Sequence, residues 1–184
     1  MNKLQHLNDA SESDAKELLE PFVERAPQVA EQLAKRRPFS CFEDIIQAIK
    51  EELQQLSEPE RIQLFCAHPE LAPDNPLTMT KESQQEQGRL DLTAGKNEMT
   101  ERLDHLNSTY RSRFGFPFIT ALVRHDAIES VFEEFEQRLT ADRNSEIEFA
   151  LGQVATVSAA RVKSAFTGES NHAVEASTAH RQAG

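Results

Sequence analysis

Apolar residues recur along this chain at intervals of three and four, the spacing that stacks side chains on one face of an α-helix. Nowhere do they show the sustained alternation of a half-buried strand. Leu18, Leu19, Phe22 and Val23 begin one stripe, which Val29 and Leu33 continue beyond Pro27. Pro38 interrupts the pattern, because the residue before a proline is driven out of the helical region. Ser40 or Cys41 then opens a helix that turns Phe42, Ile45, Ile46 and Ile49 inward. Ser57 and Glu60 are spaced as a capping box, and Pro59 sits in the first turn, where its missing N–H costs nothing. The short helix they start carries Ile62, Leu64, Phe65 and Cys66, and Pro69 ends it at His68.

The segment APDNPLTMTKES, with two prolines, reads as a loop ending in a helix cap at Thr78 or Thr80. Met99, Leu103, Leu106 and Tyr110 then mark an amphipathic helix that stops at Gly115, a residue suited to the left-handed position after a helix. Ile128, Val131, Phe132, Phe135 and Leu139 mark the next, with Asp126 as its expected cap. The last begins near Ser145 and runs through Ile147, Leu151, Val154, Val157 and Val162 to Phe166. The pattern predicts an all-α fold: one domain over residues 1–166, a bundle of about seven to nine helices with no sheet. Residues 167–184 are polar and lack an apolar face, so a disordered tail is expected there.

One helix breaks the rule. In TKESQQEQGRLDL, Ser83, Glu86, Gln87 and Leu90 share a face, and three of the four are polar; the opposite face, Gln84, Gln85 and Arg89, is polar as well. A helix polar all round is either exposed or has a polar task. The loop before it is short enough to bring this face close to His68. His68 taken alone is a helix stop that favours the dipole. With a carboxylate and amides nearby, an imidazole fixed at a helix end has the parts of a general acid–base site.

Composition narrows the field. The 184 residues carry a formal net charge of -11, which argues against nucleic acid as a partner, since phosphate binding needs a basic face. With no tryptophan and one tyrosine, eleven phenylalanines carry the aromatic bulk. Cys41 and Cys66 are too few for a disulfide framework or a zinc site, and are expected to be reduced thiols. No stretch reaches the roughly 18 apolar residues of a membrane span, and the N-terminus lacks the apolar core of a signal peptide. His105 is expected on a solvated helix flank, His125 just before a helix start, and His172 and His180 in the tail. No histidine pair has the spacing of a zinc-binding helix, and no phosphate loop, nucleophile elbow or cofactor fingerprint is present, so no metal or cofactor is expected.

The segments RPFSCFEDI, AHPELA, ESQQEQ, LDHLNSTYRSRFGFPFI and ALGQVATVSAARV occur in that order. Together they resemble the 2-oxo-4-hydroxy-4-carboxy-5-ureidoimidazoline (OHCU) decarboxylase family, over nearly everything from Leu7 to Phe166. The resemblance implies an all-helical, cofactor-independent and commonly homodimeric enzyme. Its reaction is the last step from urate to (S)-allantoin, and its substrate a small anionic ureidoimidazoline. By motif, the catalytic histidine falls on His68 with Pro69 beside the substrate, and the polar helix face on Ser83, Glu86 and Gln87. The segment Phe118, Ile119, Thr120, Ala121 and Leu122 would contact the ligand through main-chain groups, and Arg161 would hold an anionic oxygen. In this scheme His68 is the acid–base group and Glu86 orients its imidazole or the ureido N–H groups. Ser83 and Gln87 bond ring heteroatoms. Two departures stand out: Glu70 where aspartate is frequent, and APDNP where glycines often follow. The absence of a peroxisomal signal points to the cytoplasm. The alternatives are a non-catalytic helical interaction module that has kept the fold, and a cofactor-free enzyme acting on a related ureido or imidazolone substrate.

Overall fold

The helical periodicity becomes nine α-helices among the described residues, with no strand among them. The computed structural model describes residues 2–90, 92 and 98–179, with Pro76 and residues 168–179 as backbone only. In chain order the helices are α1 (Lys3–Asp9), α2 (Glu12–Leu19), α3 (Pro27–Lys35), α4 (Phe42–Gln55), α5 (Glu58–Ala67), α6 (Lys81–Gly88), α7 (Glu98–Phe114), α8 (Ile128–Arg138) and α9 (Arg143–Ala179). Short 3-10 turns occur at Glu20–Phe22, Pro76–Thr78 and Leu122–Arg124. The expected change from domain to tail at 166–167 falls within the span of α9. His180 and the His172 side chain lie outside the described residues.

Local chemistry sets most helix ends. Cys41 precedes α4, and Asp44 reaches back to accept the Ser40 and Cys41 N–H groups at 2.9 and 3.3 Å. Glu60 accepts the Ser57 N–H at 2.8 Å, and Thr80 accepts the Ser83 N–H ahead of α6. Gly115 ends α7 with φ +84°, where a side chain would be strained. Two expectations need correction. Ala127, not Asp126, occupies the N-cap of α8 and offers no side-chain cap. The last helix starts at Arg143, earlier than near Ser145, because Asp142 accepts the Ser145 N–H at 3.0 Å and supplies the cap.

The apolar stripes meet as the periodicity requires. α2 packs on α3, and α4 packs against both α3 and α9. Leu19, Leu33, Ile45, Ile49 and Leu103 are fully buried, whereas Leu18 stays 38% exposed on the outer side of α2. His105 is exposed, as its flank position predicts. The aromatic centre is Tyr110, with ring centroids of Phe114, Phe118 and Phe135 at 4.6, 5.3 and 5.6 Å. Phe118 and Phe135 stack at 3.8 Å. A buried phenol needs a partner, and the Tyr110 hydroxyl donates to Glu146, whose carboxylate also takes the Arg138 Nε–H at 2.9 Å. Burial pushes the Tyr110 hydroxyl well above its ordinary pKa. This packing fixes one end of the Phe118 segment, which forms a wall of the candidate site.

Candidate active site

α5 stops at His68 because Pro69 forces the preceding residue into an extended conformation (φ -75°, ψ 145°). That break leaves the half-buried imidazole beside the last turn of its own helix. His68 Nδ1 lies 2.8 Å from the Leu64 carbonyl. A carbonyl only accepts, so Nδ1 carries the proton and neutral His68 keeps its lone pair on Nε2. Burial lowers the His68 pKa below 6.5; the Leu64 bond and Glu24 oppose this, while Arg161 and Arg25 reinforce it.

The loop after His68 is tied down by the polar face of α6. Gln87 Nε2–H donates to the Glu70 carbonyl at 3.0 Å, and Gln87 Oε1 accepts the Ala72 N–H at 2.8 Å. Asn107 donates to the Leu71 carbonyl at 3.0 Å, and Arg111 pairs with the Glu70 carboxylate. Ala72 sits at φ +50°, a left-handed conformation that suits the glycines expected near this point better than alanine. These bonds hold it there.

Facing His68 is a charged triad. Arg161 of α9, its side chain 8% exposed, grips Glu86 with two parallel bonds of 2.9 Å each, from Nε to Oε1 and from Nη2 to Oε2. Arg161 Nη2 also lies 2.9 Å from Glu24 Oε2. Glu24 stands between the first 3-10 turn and α3 and is 7% exposed. Ser83 Oγ lies 2.9 and 2.8 Å from its two carboxylate oxygens, and Thr80 Oγ1 donates to Oε1 at 2.8 Å. Burial would raise the Glu24 pKa, but the charge of Arg161 and the hydroxyl bonds outweigh it, and Glu24 lies below the ordinary carboxylate value.

One pocket brings together His68, Pro69, Ser83, Glu86, Gln87, Phe118, Ile119, Thr120 and Arg161. Ala121 and Leu122 stand behind its wall. The Ala121 N–H donates to Gln153 at 3.0 Å, and the Leu122 carbonyl accepts from Arg89. Both Glu86 oxygens are bonded to Arg161, and the bond to the imidazole comes from the Leu64 carbonyl. Ser83 is likewise turned toward Glu24, and Gln87 toward the loop. Glu24, Leu71 and Ser158 line the pocket without having been singled out from the sequence, and Val154 and Val157, read there only as a helix stripe, line it too. No periodic signal marks Glu24, since a helix continuing the Leu18–Val23 stripe would turn position 24 to the opposite face. The arrangement combines an imidazole with a free Nε2, a buried guanidinium and an apolar wall. It can hold a small polar ligand between the guanidinium and the imidazole and move a proton at one face.

The OHCU decarboxylase family model matches residues 8–163. The 2-oxo-4-hydroxy-4-carboxy-5-ureidoimidazoline decarboxylase of Haloferax volcanii is 30% identical over 166 residues, 90% of this chain and 97% of that protein. The Mus musculus protein of the same name is 35% identical over 142 residues, covering 76% and 79%. Among solved structures, OHCU decarboxylase in the presence of (S)-allantoin superposes with a TM-score of 0.67 at 17% identity. That alignment covers 86% of this chain and 99% of the other, a likeness of fold.

Proposed function

The chain belongs to the OHCU decarboxylase family, and on that premise we propose that it converts 2-oxo-4-hydroxy-4-carboxy-5-ureidoimidazoline to (S)-allantoin and CO2. The substrate carries a carboxylate and a hydroxyl on one ring carbon. When CO2 leaves, its bonding electron pair passes into the neighbouring unsaturated ring positions, so the substrate is its own electron sink and the chemistry needs no cofactor. The hydroxyl proton must then leave and a proton must reach the ureido-bearing carbon on one face. Because CO2 departs from an anion, one proton is consumed overall.

His68 Nε2, unprotonated while Nδ1 is bonded to Leu64, takes the hydroxyl proton or returns a proton to carbon. Arg161 holds an anionic oxygen, with Glu86 and Glu24 aiming its guanidinium. Glu86 thus serves catalysis through Arg161. Ser83 and the second N–H of Gln87 can still reach ring heteroatoms. Pro69, Phe118, Ile119 and Thr120 complete the contact surface, and Ala121 and Leu122 support it from behind. The catalytic unit is residues 1–166, since every wall residue lies between Glu24 and Arg161. The family resemblance further implies a homodimer.

The observation that carries this reading is the meeting, in one pocket, of an imidazole fixed by its own helix and an arginine aimed by two carboxylates. The test is stereochemical, because the substrate also decays unaided to racemic allantoin. Substrate generated fresh from urate and mixed with the protein should give a rapid circular dichroism signal of one allantoin enantiomer. Racemic product at the spontaneous rate would overturn the assignment.

A further inference from the structure

α9 forms one side of the pocket with Val154, Val157, Ser158 and Arg161. Val154, Ser158 and Val162 follow one another at steps of four, so Ser158 occupies the buried stripe of the helix, and it is 2% exposed. A serine inside a helix ordinarily points to water or bonds the carbonyl four residues back. Thr156 and Thr167 of α9 do the latter, donating to the Gly152 and Lys163 carbonyls at 2.9 and 2.7 Å. Among the described residues, no group bonds the Ser158 hydroxyl. Nor is it sealed in, since the side-chain polar atoms enclosed without a partner are Asn107 Oδ1 and Glu146 Oε2. The surface it keeps opens on the pocket.

The other hydroxyls of the pocket wall are committed. Ser83 gives its proton to Glu24 at 2.8 Å, and Thr120 bonds Glu134 at 3.1 Å. Arg161 commits Nε and Nη2 to Glu86 and Glu24, which leaves the two N–H groups of Nη1. Ser158 stands three residues before Arg161, so the two share a face of α9. A rotatable hydroxyl beside a guanidinium suits an oxygen that carries negative charge: the cation supplies the field, and the hydroxyl adds a directed bond. For the fold alone, alanine would serve better at this position. It is the better helix former, and a buried hydroxyl that no protein group satisfies is destabilising.

We propose that Ser158 is a substrate-binding residue whose hydroxyl donates a hydrogen bond to the same ligand oxygen that Arg161 holds through Nη1. It is carried against stability because it raises affinity for the substrate. The identity of that oxygen as part of a ureidoimidazoline rests on the functional reading above.

The test sets Ser158→Ala beside the wild-type chain. The variant should fold, with a melting midpoint higher by about 2–4 °C. A midpoint unchanged or lower would show that the protein itself satisfies the hydroxyl, and would overturn the proposal. With fresh ureidoimidazoline, KM should rise about tenfold, as for losing one hydrogen bond to a charged group, with kcat within about twofold. In an Arg161→Lys background the same serine change should raise KM by less than about threefold, because residues that hold one ligand group are not independent. A full tenfold effect there would place the two residues on different groups and overturn the shared oxygen. Wild-type protein that turns over no ureidoimidazoline would sink the functional reading and this contact together. An active wild type with an unchanged KM in Ser158→Ala would sink the contact alone.

Discussion

His68 shows how a local feature changes meaning with its surroundings. At an isolated helix end the dipole would favour the charged ring. Here burial dominates, Arg161 adds to it, and the pKa falls below 6.5 despite the Leu64 bond and Glu24. The base form is therefore present at neutral pH, and kcat/KM should be level there and fall on the acid side as Nε2 takes a proton. Stability shifts in the same direction. The folded chain binds this proton less readily than the unfolded one, so the contribution of His68 is complete above about 6.5 and is lost as pH drops toward the lowered value. Melting temperatures of wild type and His68→Asn compared across that range should show the wild type losing ground as pH falls; the opposite trend would contradict the assignment. Arg161 supplies a second prediction. Arg161→Lys keeps a cation beside Glu24 and Glu86 but loses the paired bonds to Glu86. The variant should fold, and kcat/KM should fall by about 10- to 100-fold, the worth of a charge-assisted bond. A loss under about twofold would remove Arg161 from the mechanism.

At the scale of the element, α6 is a helix whose stability comes from polar work. Ser83 and Gln87 are buried on its inner face, and Gln87 is committed at both ends of its amide to the loop that follows His68. Gln87→Leu keeps the bulk but strands the Ala72 N–H and the Glu70 carbonyl, a cost of about 1–3 kcal/mol for each buried group left unpaired. Both groups are part-buried, so the expected result in denaturant titration is a total loss of about 1–3 kcal/mol, together with reduced kcat/KM as the His68 loop loosens. Full stability would show that the loop holds itself. The helices were largely legible from apolar spacing, capping pairs and prolines, because each of those signals is local. The missed ends had local causes that the pattern ranked wrongly: Asp142 was passed over as a cap for α9, and Asp126 was preferred to Ala127 before α8. The polar face of α6 was visible as an anomaly, but its partners were not, since they come from other parts of the chain.

The site exists only in the whole molecule, which brings Glu24, the end of α5, one face of α6, the Phe118–Thr120 segment and Arg161 of α9 to one pocket. Motif order pointed to nine of these wall residues. Periodicity could not reveal Glu24, whose burial depends on contacts between residues far apart in sequence. Ser158, by contrast, lies four residues after Val154 and four before Val162, shares the stripe of α9 and was legible from it. Nor could periodicity show that His125, placed merely before a helix start, lies in a hydrogen-bonded cluster with Thr120, Ser130 and Glu134. The chemistry itself came from family resemblance, and the coordinates add the physical reasons for it: a fixed tautomer at His68, an aimed guanidinium and a pinned loop. The most direct measurement is the enantiomeric course of the reaction in His68→Asn, with its fold verified by far-ultraviolet circular dichroism. Loss of the acid–base group should lower the rate of the chiral signal by at least about 10²-fold. Fresh substrate should then drift to racemic allantoin at the spontaneous rate. A folded His68→Asn that still delivers one enantiomer at near wild-type rate would contradict the central claim.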